Sequence, residues 1–67
     1  MSQRFTICGN DPKALINAPL RGEREVVIDL WESVDEAERD AAELLTEEAL
    51  AFLDYSGMEV FLRRAPA

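Results

Sequence analysis

The chain has 67 residues, 48% of them hydrophobic, with fourteen acidic against seven basic side chains, no histidine and a net charge of −7. That length supports one domain with one small core, so residues 1–67 are read as a single domain, and the apolar content excludes intrinsic disorder. The charge disfavours direct contact with nucleic acid or an anionic membrane and favours a basic protein partner. Cys8 is the only cysteine, which excludes an internal disulfide and suits a reducing, cytoplasmic compartment. Neither a secretory signal nor a membrane span is expected, because no apolar run approaches ~18 residues.

In chain order, Arg4 to Cys8 alternates Phe5 and Ile7 against Thr6 and Cys8, the period of a short strand. Gly9 to Pro12 is a break in which Asp11-Pro12 has the form of a helix start. It predicts a short helix from Pro12 to Asn17 that carries Leu15 and Ile16 to the core. Pro19 ends it and Arg21-Gly22-Glu23 forms a turn; the competing assignment is an edge strand over Ala14 to Leu20. Glu25 to Trp31 is the strongest strand, with Val26, Ile28 and Leu30 inward.

Ser33 to Tyr55 then reads as one long helix. Ser33 and Glu36 have capping-box spacing, and Gly57 marks the stop. At roughly 100° per residue, Val34, Ala41, Leu45 and Phe52 form one line, with Ala37, Leu44, Ala49, Leu53 and Tyr55 flanking it. Phe52 is the expected centre of the helix–sheet contact. Thr46-Glu47-Glu48 resembles a fresh helix start, so a kink near Leu45 is the alternative to a straight helix. Met58 to Arg64 supplies the last strand, with Met58, Val60 and Leu62 on one side, and Ala65 to Ala67 is read as a frayed tail. The expected fold is α+β: about three strands packed on one long acidic amphipathic helix, with a short extra helix. A parallel pairing sets Asp29 near Arg63 and Glu25 near Glu59, an antiparallel one reverses which pair attracts, and charge does not choose between them.

The residues for common catalysis are missing. Without histidine there is no usual general base or zinc nitrogen ligand, Cys8 has no activating partner, and Gly9, Gly22 and Gly57 are isolated rather than a phosphate loop. Asp35, Glu36, Glu38 and Asp40 spread around a helix and do not converge on a cation. No enzyme activity, cofactor or metal is therefore expected.

The acidic helix face is the candidate site. Between Asp29 and Asp54 the sequence has ten acids and a single base, Arg39. The pairs Glu36/Asp40 and Glu43/Glu47 repel at four-residue spacing, where a helix built only for stability alternates Glu with Lys. Glu36, Asp40, Glu43 and Glu47 rise in steps of about 4.5–6 Å, a sparser version of the ~3.4 Å charge spacing along one DNA strand. Glu32, Glu36, Asp40, Glu43, Glu47 and Asp54 are accordingly the candidate partner-binding residues, acting as a phosphate mimic toward a basic nucleic-acid-binding protein.

In size, charge, short α+β plan and acidic helix, the chain resembles the small phage-encoded anti-CRISPR inhibitors of type I systems, although no signature motif is matched. The resemblance implies a non-enzymatic inhibitor that acts in the bacterial host cytoplasm on a basic DNA-contacting surface of a CRISPR effector subunit. Two rival readings are an antitoxin-like module, which would more usually have an extended tail, and an oligomerising structural domain whose acidic face is only solvated. Val27, Trp31 and Phe61 are the candidate apolar patch for the latter, on the sheet face away from the long helix unless the Pro12 to Asn17 segment covers them. A monomer or weak homodimer is expected.

Overall fold

A computed structural model of the protein describes residues 4–64; the expected tail over Ala65 to Ala67 lies outside them. The fold is α+β. Three strands, β1 (Arg4–Cys8), β2 (Glu25–Asp29) and β3 (Glu59–Arg63), form one sheet in the order β1–β2–β3. Both pairings are parallel, with Val26 opposite Phe5 and Val60, and Ile28 opposite Ile7 and Leu62. The direction left open by charge is thereby settled, with Glu25 beside Glu59 and Asp29 beside Arg63.

Parallel neighbours need a crossover, and helices supply both. The first is α1 (Pro12–Asn17), where the Asp11 side chain accepts the Ala14 N–H at 3.3 Å and Pro12 occupies the first turn. A 3-10 turn (Ala18–Leu20) follows, so the edge-strand alternative over Ala14 to Leu20 does not form. Gly22 then takes a φ of +79° in the return turn, where a side chain would be strained. The second crossover is a 3-10 turn (Glu36–Glu38) leading into α2 (Arg39–Phe52).

Val26 and Ile28 form the floor of the core, on which Leu15 and Ala18 from the first crossover and Ala42 and Ala49 from α2 pack together with Leu30, Val34 and Tyr55. Both helices therefore lie on one sheet face, and the short one does not cover Val27 and Phe61, which are register partners on the other. Small residues let α2 approach closely. The Thr46 hydroxyl donates to the Gly9 carbonyl at 3.4 Å, and a Cβ at Gly9 would stand 2.3 Å from Leu30 Cδ2 and 3.0 Å from Thr46 Oγ1. Glycine is required there by space.

Several expectations for the long helix need correction. It starts at Arg39 after the 3-10 turn, not at Ser33, and no capping box forms, because the Ser33 N–H and hydroxyl are taken by the Asp29 carboxylate. It stops at Phe52, where Leu53 turns extended and donates to Ala49 O at 2.9 Å; Gly57 has no left-handed φ and caps nothing. The exit is set by Tyr55, whose hydroxyl reaches inward to donate to Leu15 O. No break occurs near Leu45. The buried face runs through Ala42, Thr46 and Ala49, about a quarter turn from the expected line. Phe52, expected at its centre, is 85% exposed, Leu44 is 59% exposed, and Ala37 and Ala41 also face solvent. Finally, β2 ends at Asp29 and not at Trp31, whose N–H turns back to the Asp29 carboxylate.

Candidate functional site

Asp29 organises the loop that delivers the acidic segment. It is only 4% exposed, and its carboxylate accepts the backbone N–H groups of Trp31 (2.9 Å), Glu32 (3.1 Å) and Ser33 (2.9 Å). Burial pushes its pKa up, but the hydrogen bonds from Trp31, Ser33 and Glu32 outweigh that and hold the carboxyl below its ordinary value. Already accepting these donors, Asp29 is a structural anion and not a base waiting for a substrate. An Asp closing an apolar strand ahead of a polar loop is an Asx-turn signal, and the strand expected to run on to Trp31 does not take it into account.

Arg39, the sole base in the acidic stretch, is turned inward. Its guanidinium lies 3.6 Å over the Trp31 ring and its Nη2 donates to Trp31 O at 3.2 Å. Arg39 Nε is buried with no hydrogen-bond partner among the described residues. Trp31 is thus held by Arg39 in the connection after β2, and it does not share the strand register that joins Val27 to Phe61. All three residues of the expected apolar patch are half-buried.

The six candidate acids divide into two groups. Glu36, Asp40, Glu43 and Glu47 follow one side of the 3-10 turn and α2, with Asp40 in the first helical turn, where the dipole favours an anion. Glu32 stands outside that row in the loop after β2 and pairs with Arg63; Asp54 lies past the helix end and accepts from the Ser56 hydroxyl at 2.6 Å and its N–H at 3.1 Å. Those Ser56 bonds, the hydroxyl's first, lower the Asp54 pKa. Within the row, Glu43 is held by Arg64 through Nε–Oε2 at 3.1 Å and Nη2–Oε1 at 3.2 Å. The Glu43 carboxylate, by hydrogen bond and charge, raises the Arg64 pKa, with Glu47 adding to it. Glu36, Asp40, Glu47 and the adjacent Glu48 are exposed and form no ion pair among the described residues.

Cys8 is half-buried; its thiol donates to Ser33 O at 3.5 Å and its sulfur accepts the Asn10 N–H at 3.4 Å. Asn10 also donates through its side chain to Glu38, tying the end of β1 to the acidic segment. Among the described residues no three Cys, Asp or Glu side chains gather as a cation site, and no helix is long and apolar enough to cross a membrane. No family model, curated protein or solved structure matches the chain.

Proposed function

We propose that the protein is a non-enzymatic interaction module that uses the exposed acidic face of α2 to occupy a basic, nucleic-acid-binding surface of another protein. One observation carries this reading: the only base within the acidic stretch is engaged by Trp31, so Glu36, Asp40 and Glu47 are exposed with no ion pair among the described residues. Repulsion between such neighbours costs a few tenths of a kcal/mol per pair, and a small domain has little stability to spare. A run of fixed carboxylates at helical rise can replace phosphates against Lys and Arg side chains, gaining affinity from charge contacts and on-rate from steering. Glu43 contributes less than the spacing suggests, because Arg64 already engages it. A DNA-contacting CRISPR effector subunit, the target implied by the resemblance, is one surface of this kind.

The test is affinity capture from a bacterial lysate with the wild type and with the Glu36→Gln, Asp40→Asn, Glu47→Gln triple variant. The wild type should retain a basic nucleic-acid-binding protein that elutes with salt, and the triple variant, folded as before, should lose it. The same proteins retained by both would reject the acidic face as the binding surface.

A further inference from the structure

Between α1 and α2 runs an open groove of about 200 Å³, floored by Leu15 and Ala49 and edged by Ile16, Leu45, Phe52 and Leu53. Leu15 and Ala49 are core residues, but Phe52 is 85% and Ile16 54% exposed, so two large apolar side chains stand in water at the lips of an apolar slot. The groove is smaller than the ~300–1,000 Å³ of ordinary small-molecule sites, and it suits one or two apolar side chains inserted from another surface.

We propose that this groove receives the apolar face of a basic amphipathic helix from a partner protein. The inference rests on the basic-partner reading above and adds the anchor that the acidic row lacks. Charge selects the occupant. Glu48 is the charged residue lining the groove and Asp11 precedes its Pro12 edge, both exposed, against Lys13 in α1. A second copy of this chain, also at −7, would place identical acids against them, since a two-fold contact opposes like patches. A helix with Lys or Arg beside an apolar stripe meets Glu48 and Asp11 while a Leu- or Phe-sized side chain fills the slot.

The probe is a short helical peptide of Leu, Lys and Ala with its leucines on one face, titrated into isotope-labelled protein and followed by amide shifts. Shifts at Ile16, Leu45, Ala49 and Phe52 are expected, with binding weakened about tenfold by Phe52→Ser or, as an independent variant, Ile16→Ser. Peptides with Leu replaced by Ala, or Lys by Glu, should bind much more weakly. Shifts confined to Glu36, Asp40 and Glu47, with no effect of either variant, would overturn the groove and leave the acidic-face reading standing. Binding indifferent to salt and to the Lys-to-Glu change would contradict both. Self-association of the wild type that Phe52→Ser abolishes would identify a second copy as the occupant and overturn the proposal.

Discussion

At the residue scale, two charged side chains do structural work that their sequence positions conceal. Arg39 covers Trp31 and is withdrawn from the acidic row, while Asp29 binds the loop that follows its own strand. Replacing Asp29 by Ala should cost about 2–3 kcal/mol, because backbone donors lose a charged acceptor in a buried setting. That is a large share of the about 3–10 kcal/mol usual for a domain of this size, and urea melts would show it. Since the folded pKa lies below the ordinary 3.8, the Asp29 contribution is complete above that pH and is lost as pH falls from there through the folded value. Asp29→Asn should therefore flatten the acid limb of the stability profile. An acid limb identical to the wild type would show that Asp29 is not held ionised by its loop.

At the scale of elements, the orientation of α2 decides which apolar side chains matter. Phe52→Ala should change stability by no more than about 0.5 kcal/mol, as exposed substitutions do, whereas Leu15→Ala should cost about 2–5 kcal/mol through an unfilled core. Thermal or urea unfolding of the two variants checks the pair, and a reversed order would place the wrong face of α2 on the sheet. The strands were legible in the sequence because alternation at period two carries its own face assignment, and Asp11-Pro12 announced α1 through local capping chemistry. The buried side of α2 was not. The large apolar residues Leu45 and Phe52 pulled the expected line away from Ala42, Thr46 and Ala49, which are small because Gly9 and the sheet must come close. The helix start was misplaced for a related reason: Ser33 had a local partner in Glu36, but Asp29, four residues upstream, outcompeted it. Exposure of Glu36, Asp40 and Glu47 was readable from helical periodicity. Their separation from Glu32 and Glu43 was not, since the arginines that pair with those two arrive from β3 and the residue after it.

At the scale of the whole molecule, the two helices occupy one sheet face and carry both of the proposed contact surfaces. Asp40, Glu43 and Glu47 follow one side of α2, while Glu48 belongs to the Ile16–Phe52 groove. Val27 and Phe61 sit half-buried on the opposite sheet face, so the two faces of the sheet differ in chemistry. A charge of −7 sets the long-range character of the helix-covered face, drawing in basic surfaces and weakening with ionic strength as the Debye length shortens. The most direct test of the acidic-face assignment is competition between this protein and duplex DNA for the captured partner. Mutually exclusive binding, with each displacing the other and both weakened by salt, is the predicted result. A stable ternary complex in which DNA leaves the affinity of this protein for its partner unchanged would contradict it.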